Sequence, residues 1–86
     1  MQDLGAILLY RQEVAGRRSA VDLRNILIDA FIRLKRFPHL STVRPDITRL
    51  PLRFHFVRGY WIVLRPQPFQ IVRIIDARRD VAAILG

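Results

Sequence analysis

The chain contains no cysteine. Disulfides and thiolate chemistry are therefore excluded, and the composition suits a reducing compartment. Histidine is nearly absent. His39 and His55 form no HExxH pattern and no pair at ligand spacing, so no metal centre is expected. The four glycines are scattered and make no phosphate-cradling loop, and no other cofactor motif is present. Neither Ser19 nor Ser41 sits in a GxSxG setting, which leaves no serine nucleophile. The longest unbroken apolar runs, such as Ala6–Tyr10 and Tyr60–Leu64, are far too short to span a bilayer. The opening Met1-Gln2-Asp3-Leu4 has no basic segment ahead of an apolar run, so no secretory leader is expected and the cytoplasm is the expected location.

What is present is arginine. Of the fifteen cations, fourteen are arginine, set against seven acids for a net charge of +8. Arginine keeps its charge when partly buried and grips carboxylates or phosphates in a planar fork. An anionic partner follows: an acidic protein or a nucleic acid. A solvated basic surface is the plainer reading of the same numbers. The charge is spread along the chain, with no basic tail and no repeat. The 86 residues, 51% apolar, make one small domain (1–86) with a real core but a modest one.

Helical periodicity covers residues 3–15, where Leu4, Ile7, Leu8 and Val14 share a face and Gly16 is a natural stop. Arg17 and Arg18 are expected to turn, with Ser19 as N-cap. A second helix is predicted over 20–36. Ala20, Leu23, Leu27, Ala30, Phe31 and Leu34 form its broad apolar face. Val21, Ile28 and Ile32 form a further stripe beside it, which either faces a partner or is covered by the first helix and the sheet together. Phe37-Pro38 ends the pair. Residues 38–51 read as an irregular crossover. Leu52–Val57, Tyr60–Arg65 and Phe69–Ile75 then read as strands of an antiparallel meander, linked by Arg58-Gly59 and Pro66-Gln67-Pro68. Residues 79–85 add a short helix or packed tail. The expected fold is α+β, in the order α-α-β-β-β, with a helical hairpin on one face of a three-stranded sheet.

The meander carries the candidate functional residues. Strand alternation places Arg73, with Arg53 and Arg65, on the sheet face away from the helices if Val72 and Ile74 point towards them. Tyr60 and Trp61 point oppositely, so one ring enters the core and the other faces out, where Trp61 could stack on bases. Asp76 and Asp80 flank Arg78 and Arg79 as an ion-pair cluster rather than an acid–base pair. The partner-facing set is thus Arg58, Trp61, Arg65, Arg73, Arg78 and Arg79, with Val21, Ile28 and Ile32 on the second helix. No catalytic group is assigned. Arginine moves protons poorly but stabilises phosphate charge, so a metal-free ribonuclease using Arg65, Arg73 and Arg78 is the alternative.

Several segments together resemble the ParE/RelE toxin superfamily, the ParE branch more closely. Asp3-Leu4-x-x-Ile7-x-x-Tyr10 is similar to its first-helix signature, and Ala20–Leu34 followed by Phe37-Pro38 to its second helix and stop. Arg44-Pro45-Asp46-Ile47 stands where the family approaches its meander. Arg58-Gly59-Tyr60-Trp61-Ile62-Val63-Leu64-Arg65 is similar to its strand ending in Tyr-Arg, with Leu64 in place of tyrosine. Ile71-Val72-Arg73-Ile74-Ile75-Asp76-Ala77-Arg78-Arg79-Asp80 is similar to its terminal strand, with Asp76 in place of a common histidine. The resemblance implies the toxin of a type II toxin–antitoxin (plasmid-stabilisation) pair, inhibiting DNA gyrase and neutralised by an acidic-tailed, ParD-like antitoxin. RelE-like relatives cut mRNA with a tyrosine or histidine near the C-terminus. Residues 81–86 have neither, so nucleic acid is a partner only under the ribonuclease alternative. The family usually begins with a strand before the first helix, so that strand is expected to be missing. A truncated, inactive antitoxin-binding relative is the remaining alternative.

Overall fold

The computed structural model describes residues 2–85. Helix α1 (Gln2–Ala15) and helix α2 (Arg17–Arg36) are separated by one residue. Gly16 adopts φ 90° and ψ 166°, a region open essentially to glycine alone. Its N–H donates to the Gln12 carbonyl at 3.0 Å and its carbonyl accepts from the Ala20 N–H at 3.2 Å, so it closes one helix and opens the next. The expected turn at Arg17–Arg18 and cap at Ser19 are therefore corrected: all three residues are helical.

Proline stops α2 as expected, and Pro38–Leu40 forms one 3-10 turn. Strands β1 (Thr42–Val43), β2 (Arg53–Val57), β3 (Tyr60–Pro66) and β4 (Phe69–Asp76) form an antiparallel sheet in that order. The meander stands where it was expected. The crossover adds a short fourth strand, because the Arg53 guanidinium bonds both the hydroxyl (2.9 Å) and the carbonyl of buried Ser41 and draws residues 42–43 alongside β2. The β3–β4 register slips at one point: Val63 pairs with Arg73 and Leu64 with Ile71, leaving Val72 as a bulge.

Both faces of the sheet are covered. On one, Leu23, Leu27 and Leu34 of α2 pack on Ile62 and Leu64, with Leu4, Ile7 and Leu8 of α1 alongside. On the other, Phe54, Val63 and Ile75 are roofed by helix α3 (Val81–Leu85) and by Ile47 of the crossover. Asp80 caps α3 by accepting the Ala83 N–H at 3.1 Å. The expected open sheet face with a row of arginines is thus replaced by a second small core. Each large side chain buried there contributes about 1.5–3 kcal/mol. No helix among the described residues is long and apolar enough to cross a membrane.

The outer edge of β4 is held by α1. The Asp3 carboxylate takes two bonds from the Arg73 guanidinium (2.8 and 3.2 Å) and one from the Ile74 N–H (3.1 Å). Burial works against its ionisation, but the bonds from Arg73 and Ile74 outweigh it and hold the Asp3 pKa below the ordinary 3.8. A lowered carboxyl pKa stabilises the fold above the unfolded value, and the effect fades as pH falls through the folded one. Asp3→Ala should lower unfolding free energy by about 1–2 kcal/mol at pH 7 in urea melts, discounted because Arg73 is 38% exposed. The gap from the parent chain should narrow below about pH 4, and a gap that is the same at pH 7 and pH 3 would contradict the clamp.

Candidate functional site

The β2–β3 hairpin turns on two residues, Arg58 and Gly59, with φ 52° and 84°. Positive φ at both positions is the tight turn whose twist suits a hairpin, and it normally carries Asn-Gly or Asp-Gly. Arg58 occupies it at a cost of about 1–2 kcal/mol relative to right-handed backbone. Strain of this kind persists where the surrounding structure over-determines it, and it clusters at functional sites.

Three arginines meet at this end of the molecule. Arg58 projects from the turn, Arg78 from the segment after β4, and Arg11 from α1. All three line a cleft of about 390 Å³, with Phe56, Tyr60 and Asp76. A second cleft of about 370 Å³ shares Arg11 and Arg58 and extends to Ser19 and Asp22 on α2. The first cleft therefore sets three guanidinium groups against one carboxylate, Asp76. That carboxylate orients Arg78: it accepts from Nε (3.1 Å), Nη2 (2.6 Å) and the Arg78 backbone N–H (2.9 Å). These bonds, the side-chain one first, lower the Asp76 pKa from 3.8 to about 2. The Arg78 side chain is still 84% exposed. Two of its five N–H donors face Asp76, and the other three face solvent. Arg79, next in sequence, is exposed as well. The arrangement suits docking of a carboxylate- or phosphate-bearing surface. It offers no nucleophile with an adjacent base, and among the described residues no three metal-ligating side chains gather.

The other expected site residues do not join this end. Arg65 lies at the far end of β3, five residues from Tyr60 and so about 17 Å along the strand, where it bonds Gln70 Oε1 at 3.3 Å. Arg73 is engaged by Asp3. Arg65, Arg73 and Arg78 therefore do not converge on one phosphate. The alternation expected for Arg73 fails because of the Val72 bulge: Val72 packs on the second core, while Ile74 pairs with Ile62, which faces the helices. Trp61 is partly buried on the second core. Its ring meets Phe54 at 6.2 Å and Phe56 at 5.2 Å edge to face, and the Arg44 guanidinium lies 5.3 Å from its centroid. Tyr60 packs into the helix-side core. On α2, Val21 and Ile32 are exposed and Ile28 is partly buried, so the second apolar stripe is covered only in part.

Arg11 was not foreseen. It lies seven residues after Leu4 and four after Ile7, on the inward face of α1. A cation at that position in an apolar stripe is the signal that was available. The place of Arg44 was missed too, because its contact with Trp61 is tertiary and loop-borne.

No protein-family model, curated protein or solved structure matches the chain.

Replacing Arg58 by asparagine should relieve the turn and raise unfolding free energy by about 0.5–1 kcal/mol. The same change should weaken binding to a polyanionic partner, so stability and binding move in opposite directions. Equal or lower stability in thermal melts would show that Arg58 is not strained. The pairing at Asp76 has its own readout. Carboxyl NMR should place its midpoint near 2 in the parent chain and closer to 3.8 in Arg78→Ala. Its contribution to stability, present above about pH 4, is lost as pH falls towards 2.

Proposed function

We propose that this chain is a ParE-like toxin. It acts by non-covalent docking on DNA gyrase, and a ParD-like antitoxin neutralises it by laying an acidic tail over the same cations. The observation that carries the reading is the convergence of Arg11, Arg58 and Arg78 on one solvent-open cleft, with Arg79 beside it. An acidic strand or tail fits this geometry. Guanidinium forks bind carboxylates in pairs, and Phe56, 54% exposed at the rim, supplies apolar area for the partner's backbone and side chains. The layout of a helical hairpin on a small antiparallel sheet is compatible with the resemblance seen in the sequence.

The ribonuclease alternative is the weaker one. It requires Arg65, Arg73 and Arg78 around a single phosphate, and Arg65 lies about 17 Å along β3 from Tyr60, the residue paired with Asp76 at the Arg78 end. Nothing specific favours an inactive relative over either.

Induction of the chain in a bacterial host should arrest growth with a DNA-damage response and without codon-phased mRNA cuts. Co-expression of an acidic-tailed antitoxin should restore growth. Arg58→Asn and Arg78→Ala should each weaken antitoxin binding about 10-fold or more, the loss of one charge-assisted contact. Phased cuts by primer extension would move the assignment to the ribonuclease. Harmless, soluble expression with no antitoxin binding would remove both.

A further inference from the structure

We propose that the outer face of α2 is where two copies of this chain meet, packed as a parallel two-helix coiled coil. This stands apart from the toxin reading and does not need it.

The inward face of α2 is spent on the sheet through Ala20, Leu23, Leu27, Ala30 and Leu34. The opposite side carries a second repeat in the spacing four-three-four: Val21, Asn25, Ile28, Ile32. That is the spacing of a coiled-coil seam, with Val21 and Ile28 at d and Asn25 and Ile32 at a. The seam is open. Ile32 is 64% exposed and Val21 46%, and Leu9 of α1, 60% exposed, runs along one rim. The helix is already formed and packed by its own domain, so pairing does not have to meet the nucleation cost that defeats short isolated coils.

The charges beside the seam select the partner and its direction. Arg17 and Arg24 occupy the first two g positions, on the rim that faces α1, with Phe31 at the third. Asp22 and Asp29 occupy the first two e positions on the other rim, with Arg36 at the third. In a parallel pair each g residue faces the e residue five positions on in the other chain. Arg17 then meets the partner's Asp22, and Arg24 meets the partner's Asp29, each twice by symmetry. An antiparallel pair would set arginine rim against arginine rim and aspartate rim against aspartate rim. Among the described residues none of these four side chains is in an ion pair; Arg24 makes only a 3.4 Å contact with Asn25 Oδ1. Asn25 at an a position meets its own copy across the axis, the device that fixes two strands in register.

The seam is short. Arg18 and Lys35 end it, so the contact sits at the low end of specific interfaces, about 1,000 Å² in total, and the dimer is concentration-dependent. Its geometry has a consequence for the cationic clefts. These lie at the α2 N-terminal end, where Asp22 and Ser19 adjoin Arg58. A parallel dimer therefore presents two cationic clefts on the same side.

Sedimentation equilibrium of the full chain at about 0.15 M salt should show the mass rising with concentration from 10.1 kDa towards twice that value. Arg24→Glu alone and Asp29→Arg alone should each weaken the homodimer about tenfold, since each places like charges across the seam twice. An equimolar mixture of the two variants should form a heterodimer at least about tenfold tighter than either homodimer, because both cross-pairs are then complementary. Ile32→Lys should abolish association while leaving the thermal melt of the monomer unchanged, as Ile32 touches no core. A chain that is monomeric up to about 1 mM overturns the proposal. So does a dimer indifferent to Ile32→Lys, and so does a variant mixture no tighter than its components.

Discussion

Ile62, Val63 and Leu64 of β3 are all wholly buried, three in succession along one strand. Neighbouring strand residues point to opposite faces, so such a run survives only if apolar cover lies on both. The rest of the architecture answers that demand. α2 and α1 close one face over Ile62 and Leu64, and α3 with Ile47 closes the other over Val63. A chain of 86 residues has little to spare for two cores. This explains the one-residue helix connection at Gly16 and the use of the final residues as a roof. It also explains why Asp3 takes a structural role: with β4 at the edge of the sheet, the Asp3 carboxylate accepts the Ile74 N–H and ties the strand to α1.

The helical hairpin, its stop at Phe37-Pro38 and the three-stranded meander were legible from periodicity and turn residues, whereas the sequence leaves residues 79–85 open between a short helix and a packed tail, and they prove to hold the helix. The second face of the sheet was misread, although its signal was present. Trp61-Ile62-Val63-Leu64 is a continuous apolar run, and continuity rather than alternation marks a strand buried on both sides. The Val72 bulge was not legible, because one unpaired residue leaves no local trace in sequence yet redirects the side chains around it. β1 was not legible either, since two residues have no periodicity and depend on Arg53 reaching Ser41.

The candidate site was legible in the same uneven way. Arg58 and Arg78 could be placed at one end of the meander because a tight turn and a strand terminus fix their location. The Asp76–Arg78 pair followed from proximity in the chain. Arg73 could not be recognised as structural, since its partner Asp3 is seventy residues away. Arg11 could not be brought to the cleft without knowing which part of α1 overhangs the hairpin turn. Local spacing locates a charge along an element, but only packing decides whether another element has already claimed it.

The carboxylates are distributed unevenly over the molecule. In the sheet half of the molecule the carboxylates are committed: Asp46 to Arg44, Asp76 to Arg78, and Asp80 to the cap of α3. Asp3, from α1, is committed to Arg73. Among the described residues Arg58 and Arg79 are in no ion pair, although Asp22 of α2 lines the second cleft with Arg58. On α2 the position differs. Asp22 and Asp29 stand beside Arg17 and Arg24 on one helix, on opposite rims of an apolar seam where they cannot reach one another. An unbalanced cluster seeks an anion from another kind of molecule. A seam whose two rims carry opposite charges can be completed by a second copy of itself, so one small basic domain holds two surfaces with different demands.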